Sequence, residues 1–120
     1  MLTTINGKDL WVETTGEGEP VVMVHGLGGT SSFFDAVTTR LASDRQVVAF
    51  DLEGHGRSPL VGDVTIASWA TDLGGVLDHV GASSATIVSH SMGTVIAQAF
   101  AAQNPERVDK LVLLGPIRAL

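Results

Sequence analysis

The chain has 120 residues, 44% of them hydrophobic and 17% charged, with 7 basic against 13 acidic side chains and a net charge of −6. That length fits one domain with a sizeable core, and an acidic balance without a basic cluster speaks against a nucleic-acid partner. The absence of cysteine excludes disulfides, thiol catalysis and cysteine-ligated metal centres.

Met1 to Asn6 lacks the basic and apolar blocks of a signal peptide, and no uncharged apolar run reaches membrane-spanning length. A cytoplasmic protein with no membrane partner is expected. The first elements are two short β-prone segments, Leu2 to Ile5 and Asp9 to Thr14, around the turn signal Asn6-Gly7. Val21-Val22-Met23-Val24 is apolar at every position, the pattern of a strand buried on both faces, and it runs into His25-Gly26-Leu27-Gly28-Gly29. Phe34, Val37 and Leu41 follow a helical spacing from Ser32 onward, and Val47 to Phe50 is the next buried strand.

The loop from Asp51 to Pro59 is too polar and glycine-rich for regular structure. Thr65 is placed to cap a helix whose apolar positions Ile66, Trp69, Leu73, Val76, Leu77 and Val80 recur at offsets of three and four, with Gly81 ending it. Ala85 to Val88 is a third buried strand, and Val95, Ile96, Ala99 and Phe100 mark the face of a helix stopped by Asn104-Pro105. Val108 to Leu114 is the last strand. Strands alternating with helices predict a doubly wound α/β fold, a mostly parallel sheet opened by an antiparallel hairpin, with ligands off the carboxyl ends of the strands.

Ser91 stands at one such end, in Ser89-His90-Ser91-Met92-Gly93. A serine on a sharp strand-to-helix turn projects its hydroxyl to solvent while the helix N-terminus aims backbone donors at it. The turn needs very small residues two before and two after the nucleophile. Gly93 meets that need, and Ser89 stands where G-x-S-x-G has its first Gly. Taken alone, the pentapeptide fits a nucleophile or a helix-capping serine equally.

Acyl transfer also needs two donors for an oxyanion, one from the residue after the nucleophile, Met92, and one from an earlier loop. The loop of His25, Gly26, Leu27, Gly28 and Gly29 can supply the second through the N–H of Leu27. His25 is expected to bond loop backbone, and the ring of His90, next to Ser91 on a sharp turn, to point away from the hydroxyl. Asp78-His79 reads as a solvated helix end. No dinucleotide fingerprint follows Gly26, Gly28 and Gly29, and no cofactor or metal is expected.

In order and spacing, Val24 to Gly29, Asp51 to Ser58, His90 to Gly93, and Asn104 to Val108 leading into Leu111 to Leu114 resemble the α/β-hydrolase superfamily, within it the ester and lactone hydrolases of the 3-oxoadipate enol-lactonase branch. The resemblance implies a catalytic Ser91, an oxyanion hole from Leu27 and Met92, a supporting loop of His25, Gly26, Gly28, His90 and Gly93, and packing and ion-pair roles for Asp51, His55 and Arg57. Dehalogenases and epoxide hydrolases resemble the same fold but place Asp where Ser91 stands.

Members of that superfamily follow the serine with an acid and a histidine on later loops, whereas Gly115 to Leu120 holds neither. Residues 1–120 therefore read as a partial domain reaching about six of about eight strands, in a fold that commonly needs roughly twice this length. A hydroxyl without its base loses about 10⁴-fold or more in rate, so a poor catalyst is expected from the isolated chain. The substrate expected of the whole enzyme is a small acyl compound, a carboxylic ester or lactone. A non-catalytic interaction module and a C–C hydrolase or perhydrolase are the alternatives. An uncovered Lys110 to Gly115 edge favours self-association. Phe33, Phe34 and Leu60 either line an apolar pocket or pack in the core.

Overall fold

The computed structural model describes residues 1–117; the last three positions of the expected 1–120 unit lie outside the described residues. Leu2–Ile5 (β1) and Lys8–Thr15 (β2) form the antiparallel hairpin, turning through Asn6 and Gly7 at φ 51° and 80°. The later strands are Glu19–Val24 (β3), Arg45–Phe50 (β4), Ala85–His90 (β5) and Val108–Leu114 (β6). They form one six-stranded sheet in the order β1-β2-β4-β3-β5-β6, parallel from β4 to β6 and antiparallel where β2 meets β4.

The helices Asp35–Leu41 (α1), Ile66–His79 (α2) and Met92–Gln103 (α3) divide between the two faces. Alternation along β3 shows why every residue of its run is apolar. Val22 and Val24 join the core built on α2 and α3, with Leu73, Leu77, Ile96 and Phe100, while Val21 and Met23 join Phe34 and Leu41 on the α1 face.

Thr65 caps α2 as its sequence position predicts. Its hydroxyl accepts the N–H of Ser68 at 2.9 Å and its own N–H donates to the Ser68 hydroxyl at 2.9 Å, a reciprocal box that stabilises the helix by about 1 kcal/mol. The segment after Ser32 departs from its expected periodicity. A 3-10 turn over Ser31–Phe34 precedes α1 and changes the helical phase, so Phe34 is buried while Val37 is 41% exposed.

The chain runs from β3 through α1 to β4 on one side, then returns through α2 to β5 on the other side of β3. This reversal puts the loops leaving β3 and β5 next to each other at the carboxyl ends of the strands, where open α/β sheets bind ligands. β6 ends the sheet among the described residues, with Val112 and Leu114 at 38% and 40% exposure. No helix among the described residues is long and apolar enough to cross a membrane.

Candidate active site

Ser91 separates β5 from α3 at φ 53° and ψ −123°; among the described non-glycine residues only Asn6 shares a positive φ. Holding an L-residue there costs about 1–3 kcal/mol, so the surroundings must enforce it. They do so from β6: the Ser91 N–H donates to the Leu114 carbonyl at 3.0 Å. From α3, the Thr94 hydroxyl donates to the Ser91 carbonyl at 2.6 Å and accepts the Ile117 N–H at 3.3 Å.

The small residues flanking the turn have separate reasons. A Cβ on Gly93 would lie 2.5 Å from the Val24 carbonyl oxygen and 2.6 Å from that of His25, so α3 rests directly on the end of β3. Since both obstacles are backbone, Gly93→Ala must push α3 off the sheet. A loss of about 1–3 kcal/mol, read by chemical denaturation of the full-length protein, is expected, together with slower labelling of Ser91. Unchanged stability would show that the helix moves freely. Ser89 is fully buried, and its hydroxyl donates to the Val112 carbonyl at 3.0 Å. A side chain with a hydroxyl is accommodated there because β6 supplies an acceptor.

The loop after β3 closes from the other side. Gly29 N–H donates to the Gly26 carbonyl at 3.0 Å, and a Cβ on Gly26 would come within 3.0 Å of the Ser91 Cβ. Gly28 takes φ 76° in this turn. The N–H groups of Leu27 and Met92 have no hydrogen-bond partner among the described residues, and Leu27 is 71% exposed. One belongs to the loop after β3 and the other to the first residue of α3, where helix N–H groups have no partner within the helix.

His25 is fully buried, and both its nitrogens are engaged. Nε2 accepts the Leu52 N–H at 3.0 Å, which leaves Nδ1 to donate to the Gly26 carbonyl at 2.7 Å. Burial lowers its pKa, against the opposing pull of the Gly26 carbonyl. A neutral ring tying the β3 loop to the β4 loop has no nitrogen left to take a proton from Ser91.

The loop after β4 buttresses this assembly by means the sequence only partly indicates. Asp51 is buried, and its carboxylate accepts the backbone N–H groups of Ser31 at 2.7 Å and Arg57 at 3.0 Å. Arg57, one of the three residues given packing and ion-pair roles, packs its guanidinium 4.4 Å over the Trp11 ring. His55 packs 5.0 Å from His25 and edge-on to Trp69 at 5.8 Å. Asp78, read as solvated, is 69% exposed and also pairs with Arg107 at 2.8 Å.

Three residues not singled out in the sequence form a charged knot behind the loop. Lys8 Nζ lies 2.6 Å from Glu53 and 2.9 Å from Asp72, both carboxylates being 2% exposed. Glu53 also accepts the N–H groups of Val61 and Gly62, each at 2.9 Å. The Lys8 hydrogen bond, which outweighs the opposing effect of burial, brings the Glu53 pKa from 4.5 to about 2. Sequence distance hid this group, since Lys8 and Glu53 are 45 positions apart.

In front of Ser91 lies a cleft of about 210 Å³ bordered by Leu27, Phe33 and His90. Of the three apolar residues left between pocket and core, Phe33 joins the cleft at 54% exposure, Phe34 enters the core at 1%, and Leu60 lies over Gly54 instead. Among the described residues no group of three or more His, Asp or Glu side chains is gathered to hold a metal ion.

Residues 19–119 match a family described as the alpha/beta hydrolase fold. The chain belongs to that family. It is similar to a 2-hydroxymuconate semialdehyde hydrolase of Pseudomonas putida, 39% identical over 85% of this chain and 38% of the relative. A thermophilic esterase from Thermogutta terrifontis superposes with a TM-score of 0.85 at 33% identity, covering 93% of this chain and 42% of the esterase. An epoxide hydrolase variant from Bacillus megaterium superposes with a TM-score of 0.91 at 30% identity, covering 97% and 42%. The chain spans 28% to 42% of the length of the curated relatives it matches.

Proposed function

We propose that this chain carries the nucleophile and oxyanion hole of a serine hydrolase acting on carboxylic esters or lactones. The observation that carries the reading is the strained Ser91 turn with the unpaired N–H groups of Leu27 and Met92 beside it. In the proposed reaction Ser91 Oγ attacks the acyl carbon and the carbonyl oxygen takes the negative charge between those two donors. Collapse of that adduct expels the alcohol, and water then releases the acid. The similarity to an esterase supports acyl chemistry. A serine, rather than the aspartate expected of epoxide hydrolases, at the turn argues against the chemistry of the Bacillus relative.

The reaction needs a general base, and none of the four histidines suits that task. His25 is fully engaged, His55 packs against Trp69, His79 ends α2, and the ring of His90 stacks on Phe33. We assign the base and its acid partner to residues outside this chain. A fluorophosphonate probe should label Ser91 in the full-length protein. No labelling, beside a serine hydrolase that does react, would end the proposal.

A second reading, hydrolysis of a C–C bond by the same serine, is favoured by the likeness to the Pseudomonas enzyme, whose named substrate is a semialdehyde rather than an ester. Ester turnover and semialdehyde turnover by the same preparation separate the two.

A further inference from the structure

The strand-end cleft contains a contact that the proposed chemistry does not require. The rings of Phe33 and His90 stack with centroids 4.2 Å apart and planes within 24° of parallel. Phe33 meets Phe34 edge-on at 5.0 Å, but the core place at this corner belongs to Phe34, buried to 1% exposure while Phe33 stands 54% exposed. His90 is held by packing: neither ring nitrogen has a hydrogen-bond partner among the described residues. Its Nδ1 lies 3.6 Å from the Cβ position of Gly26, and its Nε2 lies 3.9 Å from that of Gly115.

Both rings border the same cleft as Ser91, which the exposed Leu27 also lines. A stacked aromatic pair lining the same cleft as the nucleophile presents a flat apolar wall to whatever group sits beside Ser91. Flat faces of aromatic rings prefer other flat faces or ring edges over saturated groups of equal bulk.

We propose that the Phe33 and His90 stack is the specificity wall of the Ser91 site, selecting substrates with one flat unsaturated or aromatic ring next to the scissile bond. Phe33 acts here as a specificity residue that touches the substrate; it takes no part in bond making. The inference rests on Ser91 being the nucleophile, and its test keeps the two claims apart.

Two sulfonyl fluorides of equal reach serve as probes, phenylmethanesulfonyl fluoride and its saturated cyclohexylmethyl analogue. With either one the Ser91 oxygen forms a bond to sulfur as fluoride leaves, and mass spectrometry of the full-length protein follows the adduct. Wild-type protein is expected to react faster with the aromatic probe through tighter initial binding. Phe33→Leu, which keeps apolar bulk but removes the flat face, should cut that advantage by about threefold to tenfold and leave the saturated probe within about twofold. Phe33→Trp should restore the preference. Labelling of Ser91 by both probes, with a ratio that Phe33→Leu does not change, overturns the specificity wall alone. Failure of both probes to label Ser91 overturns the nucleophile assignment, and the wall with it.

Discussion

Replacing Ser91 by Ala in the full-length protein is expected to lower ester turnover by about 10⁴-fold or more while leaving the fold in place. The side chain removed is small and only partly buried, and the hydrogen bonds that set the turn use the Ser91 backbone: its N–H to Leu114 and its carbonyl to Thr94. The strained φ of 53° persists in the variant because those contacts enforce it. Substrate would still meet the N–H groups of Leu27 and Met92, so KM should change far less than kcat, the pattern of losing an interaction made only in the transition state. A measured loss below about tenfold would mean that another group attacks the substrate. Comparing thermal unfolding of the two proteins guards against a trivial cause.

The parts of this site that sequence made legible are those set by local chemistry. The unbroken apolar run of β3 announces a strand covered on both faces, and Thr65 followed by Ser68 announces the α2 start, because each depends on neighbours within a few positions. The turn around Ser91 was legible for the same reason, since small residues at fixed offsets are a local demand of close packing. What stayed hidden depends on the partner across the fold. Ser89 departs from glycine at a position where only the Val112 carbonyl of β6 explains the hydroxyl. The choice between Phe33 and Phe34 turns on one 3-10 turn before α1, which no apolar spacing encodes. His90 was read only as pointing away from the hydroxyl, and its stacking partner lies in the 3-10 turn over Ser31–Phe34, far away along the chain.

Lys8→Met provides the larger test of stability, since it strips the shared cation from two buried carboxylates. The side chain of Lys8 is 17% exposed and those of Glu53 and Asp72 are 2% exposed, so solvent does little to screen the arrangement. Breaking a buried pair by removing one partner costs about 3–5 kcal/mol, against about 0–1 kcal/mol for a surface pair. The pH dependence identifies the cause. Glu53 has its pKa depressed from 4.5 to about 2, so its stabilising contribution is complete above about pH 4.5 and disappears as pH falls through about 2. Without Lys8 the Glu53 carboxylate loses the hydrogen bond that depresses its pKa and binds a proton at higher pH, which relieves its unpaired charge. The stability gap between wild type and Lys8→Met should therefore be widest near neutrality and narrow steadily as pH falls from about 4.5 toward 2. Burial pulls the Lys8 pKa down, but its hydrogen bonds to Glu53 and Asp72 and their charges outweigh that and raise it above 10.5. The contribution of Lys8 is thus present throughout the acid window and lost only as pH rises through its raised value. A gap that stays constant from pH 7 to pH 3 in denaturant titrations would assign the loss to packing of the Lys8 stem rather than to charge.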